Sequence, residues 1–373
     1  MKKAIKRSFA LLTFVLISAY SYSQFKLGAE VRPRAEYRHG FKALPSPDQK
    51  SAFFVDQRTR LNFDYALDRI QFKIVLQDVR AWGSQSQLVG NEDFGTSVHE
   101  AWGIAKINSK LGIKFGRQEL VYDDHRIFGN VGWAQQARSH DAMVFQIRPG
   151  KKFKLDVGAA YNQNAAGLIG TDYTVGKSYK TMQYAWGNFA ATEQLKISFL
   201  ALSLGQQVNY TNSAGNPDYQ DNYTLTAGTR IVYKKEKFGA SLNAYYQLGS
   251  TNTWPANSVS AYNFCLDVFY KIAKPLKLSV GFEMLSGQSQ TDTTASYLST
   301  NHAFNPYFGT NHKFNGLMDY FFVRNHIGSV GLNDAYLRLD YKHKKFNLGL
   351  TGHALLANTD ILDAAWLASN GEI

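Results

Sequence analysis

The chain has one cysteine, Cys265, so no intrachain disulfide can form. After the first two dozen residues it has no apolar run long enough to span a bilayer, which excludes a transmembrane helix, since such a helix needs about 20 apolar residues. Proline is scarce, at 8 residues, and there is no linker, composition shift or low-complexity segment to divide the chain into domains. There is no G-x-S-x-G nucleophile motif and no nucleotide-binding loop or energy-coupling box. His99-Glu100 does not continue to a zinc-protease helix, because Gly103 stands where the second histidine belongs. The nine histidines are scattered. These absences predict no enzyme, no catalytic residue, no cofactor and no metal. The alternative metal reading is calcium at Asp123-Asp124 or Glu92-Asp93 in exposed loops.

The N-terminus is informative. Lys2, Lys3, Lys6 and Arg7 precede a short apolar stretch, Phe9 to Ala19, and Ser21 and Ser23 are the small residues before Gln24. This predicts a secretory signal peptide over 1–23, cleaved before Gln24. Four of the 41 basic residues and none of the 29 acidic ones lie in that segment, so the remaining chain keeps a surplus of eight positive charges. A basic surplus implies an anionic partner. Export excludes nucleic acid as that partner, and the charge is spread over the chain instead of concentrated in a tail.

The dominant pattern has period two. Ile70, Phe72, Ile74 and Leu76 alternate with Gln71, Lys73, Val75 and Gln77; Leu276, Leu278, Val280, Phe282 and Met284 alternate with Lys277, Ser279, Gly281 and Glu283. Segments over 153–162 and 223–233 repeat this. Side chains on a strand point alternately to opposite faces, so each segment has one apolar and one polar face. Strands are expected at 25–39, 52–66, 69–81, 96–107, 110–119, 139–148, 152–163, 179–189, 194–204, 221–234, 237–249, 258–271, 276–287, 331–342 and 345–357. Many end in aromatics such as Tyr65, Tyr161, Tyr233, Tyr270 and Tyr341. Every second connection is short; the longer ones are 40–51, 82–95, 120–138, 164–178, 205–220, 250–257 and 288–330. Short turns on one side and long loops on the other mark an outer-membrane barrel, and only a closed sheet hides its edges from lipid. The expectation is an all-β fold, a transmembrane antiparallel β-barrel over 24–373. Fifteen strands is an odd number where single-chain bacterial barrels have even ones, so the reading is of a chain whose C-terminal strands are missing and which would not insert stably.

Three stretches carry a resemblance. They are Asp56-Gln57-Arg58-Thr59-Arg60-Leu61-Asn62-Phe63; Gly116-Arg117-Gln118-Glu119-Leu120 continuing through Tyr122-Asp123-Asp124-His125-Arg126-Ile127-Phe128-Gly129-Asn130-Val131-Gly132-Trp133 to Gln136-Ala137-Arg138-Ser139-His140-Asp141; and Phe308-Gly309-Thr310-Asn311-His312-Lys313-Phe314-Asn315-Gly316 with Asp319-Tyr320-Phe321. Together they resemble the alginate export family of outer-membrane proteins, over nearly all of the chain after residue 23. The resemblance implies an 18-stranded monomeric porin with an electropositive constriction that passes an anionic uronate polymer, of which about 15 strands are present here.

The candidate pathway residues follow from face assignment. Arg58, Arg60 and Asn62 share one face of their strand and Leu61, Phe63 and Tyr65 the other. A charge facing lipid costs about 2–4 kcal/mol at mid-bilayer, so the arginine face must be the lumen. Arg32, Arg34, Glu36 and Arg38 form a similar stripe; Arg230 and Arg338 lie on polar faces; Arg117 falls at a rim; Arg126 and Arg138 of the 120–138 loop are expected on the same pathway. Rings of arginine and lysine select anions, and the guanidinium matches a carboxylate with two donors. The alternative is that these arginines pair with Asp64, Asp78, Asp340 and other acids to stiffen the wall. The 120–138 loop, with Asp124, Arg126, Trp133 and Arg138, is expected either to fold inward as a constriction braced by Asp124 and Arg126, or to stay outside around a buried Trp133. The 288–330 connection, with His312, Lys313 and Asn315, either plugs or gates the lumen or packs on its own Tyr307, Phe308 and Phe314. The function expected is passive, anion-selective passage of an acidic saccharide, with outer-membrane lipid and lipopolysaccharide around the barrel and periplasmic export partners compatible with it. A general small-solute porin and a plugged structural or enzymatic barrel are the alternatives.

Overall fold

The computed structural model describes residues 24–42, 44–88, 95–176, 178–321 and 326–363. The expected signal peptide and the Glu92-Asp93 pair lie outside them. The strands are β1 (Phe25–Arg38), β2 (Ala52–Ala66), β3 (Ile70–Ala81), β4 (Thr96–Lys106), β5 (Leu111–Gln118), β6 (His140–Ile147), β7 (Phe153–Tyr161), β8 (Thr181–Ala190), β9 (Leu195–Thr211), β10 (Pro217–Lys234), β11 (Phe238–Ser250), β12 (Ser258–Ala273), β13 (Leu276–Leu285), β14 (Thr300–Asn301), β15 (Leu332–His343) and β16 (Phe346–Leu356). Each pairs with the next in an antiparallel meander, except that β13 pairs with β15 while the two-residue β14 lies parallel to the start of β12. The period-two segments thus form the fifteen long strands expected of them, in one sheet.

The sheet is an inverted protein. Its outward face carries exposed Val31, Leu61, Phe72, Phe115, Phe199, Leu266, Val280 and Leu337, while Thr226, Asn243, Gln247, Asn263 and Ser279 are buried inside. An apolar exterior around a polar interior is the arrangement that lipid, not water, stabilises. Exposed aromatics bound the apolar band. Tyr161, Tyr223, Tyr246 and Tyr262 stand toward the long connections, and Phe189, Phe238, Tyr270 and Tyr341 toward the short turns. Tyr262 and Tyr270 bound the stretch 262–270 of β12, at the lower end of the about 9–11 residues that a tilted transmembrane strand needs. The molecule is a transmembrane antiparallel β-barrel.

One connection departs from expectation. The segment 205–220 is not a long loop: β9 continues to Thr211 and β10 begins at Pro217, register intact throughout. The turn between them is made by the Asn212 side chain, which accepts from the backbone N–H groups of Ala214 (3.0 Å) and Asn216 (3.1 Å), and by Gly215 at φ 80°. Beyond the lipid both faces of a strand meet water, so apolar alternation fades there although the ladder continues. Tyr210 on this extension stacks on Trp254 of the next connection, ring centres 4.0 Å apart.

Part of the interior is filled by loop side chains. Leu120, Ile127 and Phe128, from the connection between β5 and β6, pack with Met182, Tyr184, Leu202 and Leu204 on inward strand faces and with Phe304 from the connection between β13 and β15. Close packing extends to the wall. Tyr184 of β8 lies across Gly158 of β7, where a Cβ would sit 2.1 Å from its ring. Gly158→Ala should therefore push Tyr184 off its site at a cost of about 1–3 kcal/mol. Urea unfolding of the two proteins in detergent checks this, and an unchanged midpoint would show that the ring has room to move.

Candidate functional site

The connection 119–139 turns into the barrel. Its first residue, Glu119, accepts from His99 Nε2 on β4 (2.8 Å) and from Asn130 Nδ2 across the loop (2.7 Å). Burial pushes the Glu119 pKa up, but these two hydrogen bonds prevail and hold it below the ordinary value. Tyr122 stacks on Trp186, and its hydroxyl bonds to Tyr184 (2.9 Å) and donates to Asp156 (3.1 Å). Asp123 accepts from Trp186 Nε1 (3.0 Å) and Ser198 Oγ (2.7 Å). Asp124 accepts from Arg230 (2.7 Å) and Asn243 (2.6 Å). Both carboxylates proposed for calcium are thus taken up by protein donors. Among the described residues no cluster of three metal-ligating side chains occurs.

The far end of the loop is gripped by the arginine stripe. Arg32 donates to the carbonyls of Gly132 (2.8 Å) and Ala134 (3.0 Å) and to the Gln135 side chain (2.8 Å). Arg34 bonds the Trp133 carbonyl (3.0 Å) and Asp56 (2.9 Å). Arg58 pairs with Glu30 (2.6 Å) and reaches the Ala134 carbonyl (3.3 Å). Arg60 donates to Gln77, whose amide nitrogen reaches the Gln136 carbonyl (3.0 Å). These four arginines face inward as their parity requires, but they hold the loop and its backbone oxygens instead of lining an open bore. This corrects their assignment as direct pathway contacts: a loop end rich in bare carbonyls needs donors, and the stripe supplies them.

Arg126 also requires correction. Its side chain is 0% exposed, pairs with Glu283 of β13 and lies over the Phe314 ring at 3.6 Å, so no solute reaches it. Asp124 and Arg126 brace the loop across the bore, through β10, β11 and β13. The loop touches β1 and β2 on one flank and β13 on the other, so the sheet wraps around it.

The long connection between β13 and β15 enters from the same side and joins this loop by main-chain bonds. Gly129 N donates to Phe308 O (2.9 Å) and Thr310 N to His125 O (2.9 Å). Asn315 donates to Glu283 (3.0 Å) and Asp334 (3.1 Å). Lys313 Nζ donates to the Asp124 carbonyl (3.0 Å), and burial lowers its pKa. His312 hydrogen-bonds Asp319 (2.9 Å) and stacks on Trp133, ring centres 4.0 Å apart. The two loops together make a septum inside the barrel. Strain is stored in it: Val131, a β-branched residue, sits at φ 50°. Val131→Gly should relieve about 1 kcal/mol, raising the midpoint of urea unfolding; a lowered midpoint would mean that the lost side-chain packing outweighs the strain.

The septum leaves a chamber on each side. The one toward the long connections, about 630 Å³, is lined by residues that include Arg117, Arg138, His140, Tyr179, Tyr307 and Phe308. Arg117 pairs with Asp141 (2.8 Å), at the rim expected of it. Arg138 makes no ion pair among the described residues; it touches the carbonyls of Gly129 and Gly309, both at 3.3 Å, and burial alone lowers its pKa to about 10, so it remains charged at neutral pH. The chamber toward the short turns, about 700 Å³, is lined by residues that include Asp124, Arg230, Asp267, Lys313, Tyr336 and Arg338. Arg338 donates to Thr351 Oγ1 (3.3 Å) and lies 5.9 Å from the Tyr336 ring centre. Residues that sequence reasoning passed over are Glu283 and Glu119, whose carboxylates anchor the septum. For Glu283 a polar-face glutamate on a strand was the only signal; Glu119 stood in the Gly116–Leu120 motif.

No protein-family model matches the chain, and no curated protein matches it in sequence. Its architecture is similar to solved structures. Pseudomonas aeruginosa OccK11 (OpdR) matches at TM-score 0.56 and 10% identity, covering 90% of this chain and 79% of that one. Pseudomonas aeruginosa OccK8 (OprE) matches at 0.51 and 12%, covering 85% and 79%. The likeness is one of fold, the outer-membrane β-barrel.

Proposed function

We propose that the protein is an outer-membrane porin for passive, anion-selective passage of an acidic saccharide of the alginate type. The observation that carries this reading is Arg138, a charged guanidinium without a carboxylate partner among the described residues, in a chamber whose lining also includes aromatic rings, carboxamides and the Arg117–Asp141 ion pair. Guanidinium donors suit carboxylates, ring faces suit sugar faces, and carboxamides suit hydroxyls. The surplus of eight positive charges after residue 23 supports it. So do the resemblance of the two loop sequences to alginate export proteins and the barrel fold. In this reading the chain works in the outer membrane beside lipopolysaccharide, as a monomer cleaved before Gln24.

Transport in this reading is down a gradient, and weak binding on the way lowers the Coulomb barrier without trapping the solute. A general small-solute porin is the second reading, favoured by the extent to which the other arginines are neutralised: Arg34, Arg58, Arg117, Arg126 and Arg230 all have carboxylate partners. Reversal potentials in planar bilayers under a salt gradient, with oligo-uronates as blockers, separate the two. Anion selectivity with uronate block is expected; a channel that passes both signs equally and ignores uronates would leave the general porin.

A further inference from the structure

The two chambers differ in charge. On the long-connection side Arg117 and Asp141 cancel, and Arg138 is left over. On the short-turn side Asp124, Asp267, Glu283, Asp334 and Asp340 face Arg230, Lys313 and Arg338, and the outside partners Arg126 and Lys277 of Glu283 and Asp340 bring the balance to neutral. Each of those five carboxylates is engaged: Asp124 by Arg230, Glu283 by Arg126, Asp340 by Lys277, Asp267 by the Tyr336 hydroxyl and Asp334 by His353. An anion therefore meets a net attractive charge on one side of the septum only.

The long-connection chamber also holds polar groups without partners. Arg138 spends its Nη1 on two long carbonyl contacts. His140 is 5% exposed, donates or accepts at Nδ1 with the Tyr179 hydroxyl (3.0 Å), and has no hydrogen-bond partner at Nε2. A buried nitrogen left unbonded is a cost to the chamber wall. The rings of His140, Tyr179 and Phe308 pack against one another in the chamber wall, with centroids 4.8–5.9 Å apart.

We infer that this chamber is a capture site for a carboxylate-bearing sugar arriving from outside the cell, with Arg138 as the carboxylate anchor and Gln206 among the groups that face its hydroxyls. The inference rests on the acidic-saccharide reading and adds a side to it. Long loops face the exterior in such barrels and short turns the periplasm. A passive pore has no direction of its own, and equilibrium occupancy of the site is the same from either side. The association rate is not the same: sugar from outside enters the chamber directly, whereas sugar from the periplasm must first pass the septum.

The test is single-channel block by a tri-uronate added to one side at a time, with orientation read from modification of a cysteine placed in the 164–178 connection. The expected result is faster association from the long-loop side. Arg138→Gln should shorten the blocked dwell roughly tenfold, the scale of one charge-assisted hydrogen bond, and Arg138→Lys should recover part of it. Gln206→Glu, which adds a repelling charge without touching the septum, should shorten the dwell as well. Equal association rates, faster association from the short-turn side, or dwell times unchanged in both Arg138→Gln and Gln206→Glu would overturn the capture site while leaving an anion-selective, uronate-blocked porin intact. Absence of uronate block from either side would overturn both readings.

Discussion

Glu283→Ala should loosen the septum and destabilise the barrel by about 3–5 kcal/mol, the cost of stripping one partner from a buried ion pair. Arg126 and Glu283 have side chains 0% and 3% exposed, so neither finds water when the other is removed. The same carboxylate also accepts from Asn263 (3.0 Å) and Asn315 (3.0 Å), and so ties both loops to β13. Two readouts should move together: the midpoint of urea unfolding in lipid vesicles should fall, and single-channel conductance should rise and become noisy as the loops leave the bore. Replacing the whole pair, as in Arg126→Met with Glu283→Leu, should recover much of the stability, because two apolar side chains leave no uncompensated charge. A single variant with native stability and native conductance would show that the septum does not depend on this latch.

Val280→Arg is the second large effect. Val280 lies midway along β13 on the outward face and is 54% exposed. If that face meets hydrocarbon, arginine there costs about 2–4 kcal/mol. Refolding into vesicles should show the loss, and Val280→Leu should show none. An arginine tolerated without loss would contradict the placement of lipid against this face. The experiment tests the membrane assignment independently of any solute.

The fold was legible because alternation is a local property. Residues such as Leu278, Val280 and Phe282 declare one face and Ser279, Gly281 and Glu283 the other, and lipid enforces the separation at every strand. The extension of β9 and β10 beyond the lipid was not legible, since Gln206, Val208 and Tyr210 on one face and Gln207 and Asn209 on the other carry no such contrast. The site was legible in part. The sequence marked 120–138 and 288–330 as long, polar and aromatic, but a loop's length does not say on which side of the wall it lies. That depends on whether the interior offers partners for its backbone.

The sequence by itself determined the strand pattern, the lumen-facing parity of Arg32, Arg58 and Arg60, and the positive balance, because these depend only on residue order and count. Only the tertiary structure decided which cations are available to a solute. Arg126 was taken up by Glu283, 157 positions away along the chain, and the stripe on β1 and β2 by carbonyls 74 to 102 positions away. Arg138, one basic residue among many in the sequence, proved to line a chamber while making no ion pair among the described residues. Charge pairing inside a barrel is settled by what the wrapped sheet brings face to face, and partners that far apart in the chain leave no trace in local pattern.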